Sequence, residues 1–185
     1  MDMTNDFKLI NKDQGSFILR KPNAKDLKEI TAFKQEFIEK NSWMDGTGIL
    51  IKVSAEEWLR FNQDIETTLN PNYVKSLQYG LFNPENKLIG LIQIRLELKG
   101  YLIEFGGHIG YCVRPSERRK GYAKMMLQAT LDICKQVGLD RVLITCLESN
   151  IASAKTIEAC GGIFEKIVFD DKNYQANMKR YWIKL

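Results

Sequence analysis

The sequence predicts an α+β domain with a mixed, mostly antiparallel sheet, and three observations support this prediction. Apolar residues recur at helical spacing in four segments. Between them lie short β-prone segments, two of which flank a turn sequence. The 185 residues contain no repeat, low-complexity tract or Pro/Gly-rich linker, so residues 1–185 are expected to form one domain. The expected element order is β-α-α-β-β-β-α-β-α-β-β.

The first predicted elements are a strand and a helix. Ser16–Lys21 is β-prone, and Pro22 would end that strand. Asn23 is a suitable N-cap for a helix over Ala24–Lys40. The apolar face of this helix would consist of Leu27, Ile30, Phe33 and Phe37.

A loop and a second helix follow. Ser42–Gly48 is predicted to be the loop. Ser54 precedes a helix over Ala55–Thr68, and Glu57 completes a capping-box pattern. Asn70-Pro71-Asn72 is expected to stop the helix.

The middle of the chain has the pattern of a β-sheet. Leu77–Phe82 and Lys87–Leu98 flank the turn Asn83-Pro84-Glu85-Asn86, which predicts a hairpin. A third strand is predicted at His108–Val113, after Gly106-Gly107.

The second half alternates helices and strands. A strong helical pattern covers Gly121–Val137, and Gly138 follows as a left-handed C-cap. Val142–Cys146 is predicted to be a buried strand, parallel to a neighbour. Asn150 would cap a helix over Ile151–Cys160. Two closing strands, Ile163–Phe169 and Lys179–Lys184, would flank the turn Asp170–Asn177.

Composition narrows the function classes. The net charge of +4 is too small to indicate nucleic-acid binding. The acidic N-terminus is unlike a signal peptide, and no apolar run is long enough to span a membrane, so we expect a cytoplasmic protein with no membrane partner. The four cysteines are widely spaced without clustered His, which argues for reduced core thiols and against a metal site.

The segment Arg118–Ala123 carries the strongest chemical signal. It follows a predicted strand and opens a predicted helix, where unpaired N–H groups and the helix dipole attract a phosphate. Gly121 allows the backbone to approach an anion closely, and Ala123 keeps the next turn small. Arg118, Arg119 and Lys120 add positive charge. A solvated basic turn is the alternative interpretation.

The surrounding sequence resembles the GNAT superfamily of acyl-CoA-dependent N-acyltransferases over nearly the whole chain. The residues that carry the resemblance are GGHIGYCVRPSERRKGYA (106–123), TCLESNIAS (145–153), Gly161-Gly162 and RYWI (180–183). They are also similar to a bacterial subgroup of predicted acetyltransferases without a fixed substrate. The resemblance implies a single GNAT-like domain with central, splayed parallel strands flanked by helices.

The resemblance also implies acetyl-CoA as the cofactor. Backbone N–H groups from Arg119 to Ala123, including Tyr122, would hold its pyrophosphate. Backbone groups of Cys112 and Val113 would hold the pantetheine arm and the thioester carbonyl. The motif that contains Asn150 and Ser153 would contact the amide arm, although Asn150 is equally suited to a purely structural N-cap role.

The implied reaction is direct attack of a primary amine on the thioester, which needs a base for the amine. His108, the only histidine, is the first candidate; its alternative is a structural role beside Gly106-Gly107. Glu104 is the second candidate. If His108 is the base, His108→Ala lowers transfer without changing acetyl-CoA binding. Direct transfer needs no nucleophilic cysteine at Cys112.

One position departs from the family pattern. Many members have a Tyr that protonates the leaving thiolate where this chain has Ile157. Either another tyrosine replaces it or the thiolate leaves unaided. The substitutes that the sequence offers are Tyr111, Tyr122, Tyr174 and Tyr181. The missing Tyr also keeps open a second function, a non-catalytic acyl-CoA-binding sensor or regulatory module.

The acceptor, a small molecule or a peptide amine, should contact the first two helices, the loop Ser42–Gly48 and the two closing strands. Asp45 is expected either to bind a cationic amine or to face solvent. Trp43 and Met44 are expected to pin the loop to the core rather than to wall a pocket. Arg95 and Glu97 would face either the acceptor or solvent, and solvent is the favoured alternative. Arg180–Ile183 would pack either in the core or in a homodimer.

Overall fold

The computed structural model describes residues 6–11, 15–67 and 72–185. The strands are β1 Phe7–Asn11, β2 Gly15–Arg20, β3 Ser76–Phe82, β4 Leu88–Arg95, β5 Ile109–Val113, β6 Arg141–Leu147, β7 Ile163–Asp170 and β8 Ala176–Lys184. The α-helices are α1 Leu27–Glu39, α2 Ala55–Thr67, α3 Tyr122–Gln136 and α4 Ile151–Ala159. The predicted α+β class is confirmed, with one strand more than expected.

The additional strand is β1, which pairs antiparallel with β2. Its few residues alternate weakly, so the sequence gives little signal for it. Two predicted strand boundaries also shift by three residues. The second hairpin strand ends at Arg95 rather than Leu98, and the last strand begins at Ala176 rather than Lys179. Residues 70 and 71 of the predicted helix stop lie outside the described residues.

The strands form two sheets, in the orders β1-β2-β3-β4-β5 and β6-β8-β7. Every ladder within them is antiparallel. β5 and β6 form no ladder in the part of the chain that the structure describes. They meet just before β5, where the His108 N–H donates to the Leu143 carbonyl at 2.7 Å. Beyond this bond a cleft separates them.

Helices cover both faces of the larger sheet, so β3 and β4 are buried almost throughout. On one face, α1 and α2 pack through Phe33, Phe37 and Trp58, which are fully buried. On the other face, α3 packs through Met126 and Leu127. These two cores hold β4 and β5 firmly, which gives the cleft a rigid wall.

The predicted caps are present. The Asn23 side chain caps the short 3₁₀ turn that leads into α1. Ser54 and Glu57 exchange the two hydrogen bonds of a capping box. Gly138 ends α3 with a φ of +85°. The Asn150 side chain accepts the Ser153 N–H at 3.1 Å and so begins α4.

A short π-helical turn, Leu102–Gly106, precedes β5 and was not predicted. The Gly107 N–H closes it on the Leu102 carbonyl at 2.8 Å. Gly107 has a φ of +64°, and a Cβ there would lie 2.5 Å from the Leu143 carbonyl oxygen. Only glycine allows this close approach of the turn to β6.

The cysteine side chains lie as the sequence predicts. All four cysteines are unpaired; Cys112, Cys134 and Cys146 are buried and Cys160 is half-buried, which confirms the core-thiol prediction. Within residues 6–11, 15–67 and 72–185, no helix is long and apolar enough to cross a membrane. The same residues contain no group of three or more potential metal ligands.

Candidate active site

A cleft of about 690 Å³ lies where β5 and β6 separate. One end is formed by the turn before α3 and the start of α4. The other end is formed by the loop between α1 and α2, the π-helical turn and the turn between β7 and β8. We call these the turn end and the loop end. Strand β5 lines the cleft between the two ends.

The turn end is built around an unpaired stretch of backbone. Gly121 and Arg119 have φ values of +83° and +64°, so the chain coils tightly before α3. The first helical bond runs from the Met125 N–H to the Gly121 carbonyl at 3.0 Å. In the described part of the chain, no acceptor faces the N–H groups of residues 119 to 123. Free N–H groups at the start of a helix favour the binding of an anion.

Buried ion pairs hold this turn on α1. The buried Arg114 lies 3.1 Å from Glu29 and 3.5 Å from Glu36, and its Nε donates to the Leu88 carbonyl. The Ser116 N–H donates to Glu36 at 2.7 Å. Because these contacts fix the approach to α3 from several directions, the free N–H groups are pre-organised before an anion arrives.

The basic side chains of the motif have different roles. Arg118 donates to the Val113 carbonyl at 3.1 Å and to the Ser42 hydroxyl at 2.6 Å, so it ties the turn to the loop end. Arg119 lines the cleft. Lys120 pairs with Glu117 at 2.7 Å and does not line the cleft. The ring of Tyr122 packs against Phe17 in the core.

The register of β5 decides which backbone groups face the cleft. The Arg114 N–H donates to Ile89, and the His108 carbonyl accepts from Arg95, both across the ladder to β4. In an antiparallel ladder such pairs alternate, so Cys112 also points its backbone to β4. The backbone N–H groups of Tyr111 and Val113 therefore face the cleft. Burial raises the pKa of the Cys112 thiol and keeps it protonated.

Two hydroxyl groups meet in the middle of the cleft. The Tyr111 hydroxyl lies 2.9 Å from the Ser153 Oγ. Burial raises the pKa of Tyr111, so its hydroxyl keeps its proton. Asn150 lines the cleft beside them, and its cap uses only the side-chain oxygen. Of the other tyrosines, Tyr181 is buried with its hydroxyl on Glu158.

The loop between α1 and α2 is anchored from behind. Trp58 donates its indole N–H to the Thr47 carbonyl at 2.7 Å, and Gln78 donates to the Gly46 carbonyl at 3.2 Å. Gly46 lies directly on β5, since a Cβ there would fall 2.0 Å from the Gly110 carbonyl oxygen. The loop therefore projects its remaining side chains into the cleft from a fixed base.

Those side chains form a partly aromatic, acidic wall. Trp43 is 72% exposed and contacts the Tyr174 ring in a tilted arrangement at a centroid distance of 5.7 Å, so the prediction that it pins the loop to the core is wrong. Met44 does pack against the core, as predicted. The Tyr174 hydroxyl donates to Asp45 at 3.1 Å. Asp45 is exposed to solvent, as one of its sequence alternatives had it. The protein atoms around it still raise the pKa of Asp45 by desolvation, although that hydrogen bond and Arg95 oppose the shift.

The two residues considered as bases from the sequence do not line the cleft. His108 is buried at the join of the two sheets, where its Nδ1 accepts the Leu143 N–H at 2.9 Å. Burial, followed by the charges of Arg95 and Arg141, lowers the pKa of His108 to about 4. Glu104 is exposed on the outside of the π-helical turn. This geometry corresponds to the structural alternative for His108.

We expect His108 to make stability pH-dependent. Its pKa is about 4 when folded against 6.5 for the free group, so the unfolded chain binds more protons between these values. Stability is complete above pH 6.5 and falls by about 2 to 3 kcal/mol at pH 4.5. Urea unfolding at pH 7.5 and 4.5 measures this loss. His108→Asn keeps an acceptor for the Leu143 N–H but does not titrate. Its free energy of unfolding should therefore fall less between these pH values, by about 2 to 3 kcal/mol. An equal fall in the variant and the wild type would show that another group causes the pH dependence.

Several residues of the cleft were not identified from the sequence. Tyr101 and Phe105 line the loop end. Arg95 lies there too, which corresponds to the less favoured of its two sequence alternatives. Glu97 does lie at the surface, paired with Lys99. The sequence signal for Arg95 was its position on the same strand face as the buried Gln93, opposite Ile92 and Ile94. That signal could not show that the π-helical turn would fold over this face.

Comparisons with known proteins show similarity to acetyltransferases. The model of the family described as an acetyltransferase (GNAT) domain matches residues 16–163. The uncharacterized N-acetyltransferase YnaD of Bacillus subtilis (strain 168) is 32% identical over 91 residues, which cover 42% of this chain and 54% of that protein. The match therefore spans about half the length of this relative.

Solved structures share the fold over nearly the whole chain. RimJ of Mycobacterium smegmatis, solved in complex with CoA-disulfide, has a TM-score of 0.72 and 17% identity, and the match covers 98% of this chain and 88% of that one. The ribosomal-protein-S5-alanine acetyltransferase of Vibrio fischeri has a TM-score of 0.71 and 16% identity, with 97% of each chain covered.

Proposed function

The chain belongs to the GNAT family of acetyltransferases, and we propose that it transfers an acetyl group from acetyl-CoA to a primary amine by direct attack. The observation that carries the proposal is the placement of three unlike groups along one cleft. Free N–H groups occupy the turn end, a hydroxyl pair the middle and a carboxylate the loop end. Each matches one requirement of acetyl transfer from a coenzyme A thioester to an amine.

The residues present fit coenzyme A. The unpaired N–H groups of residues 119 to 123 would hold the pyrophosphate, with Arg119 beside them. The cleft-facing backbone of Tyr111 and Val113, on the open edge of β5, would take the pantetheine arm by strand-like hydrogen bonds. When bound, acetyl-CoA supplies an activated acetyl thioester.

Asp45 is proposed to prepare the amine. An ammonium group cannot attack a carbonyl, so a base must remove its proton. Asp45 lines the cleft, and the direction of its pKa shift makes it a better proton acceptor than an ordinary aspartate. His108, the first candidate from the sequence, holds the sheet junction instead in this proposal. The Val113 N–H would donate to the oxygen on which negative charge develops.

The Tyr111–Ser153 hydroxyl pair is proposed to give a proton to the departing thiolate. It would replace the tyrosine that many relatives have where this chain has Ile157, which is fully buried in the core. Ser153 can donate to the thiolate while it accepts from Tyr111, so the two hydroxyls can act in series. The pair would supply the acid that the missing tyrosine leaves open, which is the feature that favours a non-catalytic module.

We expect Tyr111→Phe to lower kcat by about 10-fold, within the range of general acid catalysis but limited because a thiolate can also leave unaided. Acetyl-CoA affinity should stay within about twofold, since the ring remains. Steady-state thiol release and calorimetry measure the two quantities. Ser153→Ala should have a similar effect, and the double variant should be no worse than the single ones. A wild-type kcat in Tyr111→Phe would exclude the pair.

The proposed function itself is tested by thiol release from acetyl-CoA against a panel of primary amines. Acetyl transfer predicts release that depends on one class of amine and saturates with it. If acetyl-CoA binds but no amine in the panel causes release, the chain is the alternative, an acyl-CoA-binding sensor. The two outcomes separate the enzyme from the regulatory module.

Two further predictions concern the cellular setting. A cytoplasmic location stays a prediction; the four unpaired cysteines support it, because thiols persist in a reducing compartment. A homodimer also stays a prediction. Within Arg180–Ile183, Tyr181 and Ile183 belong to the core, so they are not available for a dimer contact. The exposed apolar side chains of the edge strand β7 are the better-placed surface.

A further inference from the structure

The loop end of the cleft carries one charge of each sign. Among the described residues that line it, Asp45 is the carboxylate and Arg95 the guanidinium. The remaining basic residues of the cleft, Arg118, Arg119 and Lys124, belong to the turn end, as does Glu117. The acceptor therefore meets a matched pair of charges rather than a field of one sign.

Arg95 is held in a way that leaves part of its guanidinium free. Its Nη1 donates to the carbonyls of Gly106 and Gly107 at 3.0 and 3.1 Å, which fixes the plane of the group. Its Nη2 lies beside β5, 3.5 Å from where a Cβ of Gly110 would stand. In the described part of the chain, Nε and Nη2 have no acceptor. A planar fork of free donors suits a carboxylate.

Asp45 is also only partly used. One carboxylate oxygen accepts the Tyr174 hydroxyl, and the other has no partner among the described residues. The charges of Asp45 and Arg95 influence each other but form no contact ion pair, unlike Arg20 and Asp26, which meet at 2.7 Å. Opposite charges held apart across a cleft leave room for a ligand that carries both.

The surfaces around these charges are apolar. Trp43 and Tyr174 form one side, and Leu102 and Phe105 of the π-helical turn form another. Aromatic and aliphatic walls favour an apolar body on the ligand. A polyamine has no such body, and its additional positive charges would face Arg95 without a second carboxylate at the loop end.

We propose that the acceptor is a free α-amino acid with an apolar side chain, whose amine is bound by Asp45 and whose carboxylate is bound by Arg95. The inference rests on the proposed function and adds the class of acceptor. It explains why the strand that borders the cleft carries an arginine whose remaining donors are free. It also assigns the aromatic wall, which would receive the side chain.

The test compares matched acceptors on the wild-type protein by thiol release. L-Phenylalanine and L-leucine are compared with L-phenylalanine amide, which lacks the carboxylate charge, and with spermidine and a tripeptide beginning with phenylalanine. Because the amine of the amide is less basic and so more readily deprotonated, any preference for the free acid must come from its carboxylate. We expect kcat/KM for phenylalanine to exceed that for the amide by at least about 10-fold, because a site built to bind a charged group discriminates against its absence. Equal or better use of the amide, spermidine or the tripeptide would overturn the proposal.

A variant assigns the discrimination to the guanidinium. In Arg95→Gln the ratio of kcat/KM for phenylalanine to kcat/KM for its amide should fall to about 1. In Arg95→Lys the ratio should lie between the wild-type value and 1, because a lysine keeps the charge but lacks the planar fork of donors. Calorimetry with acetyl-CoA confirms that each variant is folded. An unchanged ratio would show that Arg95 does not recognise the carboxylate. If Arg95→Gln does not fold, the comparison of acceptors on the wild-type protein still tests the proposal.

The outcome that would reject the proposed function is a different one. In that case no amine in the panel would cause thiol release from the wild type, although acetyl-CoA still binds.

Discussion

Gly121→Asp is expected to weaken acetyl-CoA binding by at least about 100-fold, equivalent to about 2.7 kcal/mol. Gly121 has a φ of +83° and lies at the turn end of the cleft, directly before α3. An aspartate there brings a negative charge to the place that the pyrophosphate would occupy, where the free N–H groups point. Open space surrounds the position, so the effect should come from charge rather than from a clash. Calorimetric titration with acetyl-CoA measures it.

Two matched variants separate charge from backbone strain. Gly121→Asn has nearly the same shape without the charge, and asparagine tolerates a left-handed backbone, so it should bind acetyl-CoA much more tightly than the aspartate variant. Gly138→Asp places the same residue at φ +85° at the other end of α3, away from the cleft. It should bind acetyl-CoA as the wild type does. Wild-type affinity in Gly121→Asp would remove the turn from the cofactor site.

Asp45→Asn is expected to lower kcat/KM for acetyl transfer by about 100-fold or more, the usual contribution of a general base. Asparagine can still accept the Tyr174 hydroxyl, so the wall keeps its shape while the proton acceptor is lost. Acetyl-CoA binding at the other end of the cleft should be unaffected. Thiol release at saturating acetyl-CoA, with the amine varied, measures the change. A variant that retains full kcat/KM would show that another group takes the proton.

The pH profile supplies a second readout of the same residue. Activity needs Asp45 ionised, and its pKa is raised, so the acid limb of kcat/KM should lie above the pH at which an ordinary aspartate titrates. Tyr174→Phe removes a hydrogen bond that lowers this pKa and should move the limb to higher pH. A limb that stays in place, or moves to lower pH, would contradict the role of Asp45.

The turn end was predictable from the sequence because its chemistry is local. A strand, a run of three basic residues and Gly121 before an amphipathic helix are contiguous, and contiguous segments fix their own backbone geometry. The Asn150 cap is local for the same reason, since its partner is the Ser153 N–H. The capping box of Ser54 and Glu57 follows the same logic.

The middle and the loop end depend on contacts between distant segments. The sequence predicts that the Cys112 backbone faces the cleft, but the register of β5 against β4 turns it to β4 and turns the Tyr111 N–H to the cleft. A shift of one residue would reverse both directions. The Nδ1 of His108 is engaged by a residue 35 positions away, which no local pattern reveals. A tryptophan in a loop, such as Trp43, can lie in the core or in a cleft. The contact of Gly46 with β5, which the sequence does not reveal, decides between them.

The proposed coenzyme A site lies in one cleft, between the turn before α3 and the side chains of the loop end, and a crystal structure with bound coenzyme A would test it. We expect pyrophosphate oxygens within hydrogen-bond distance of the N–H groups of residues 119 to 123, with the sulfur beside the Tyr111 and Ser153 hydroxyls. Pyrophosphate bound elsewhere, or a sulfur remote from that hydroxyl pair, would contradict it.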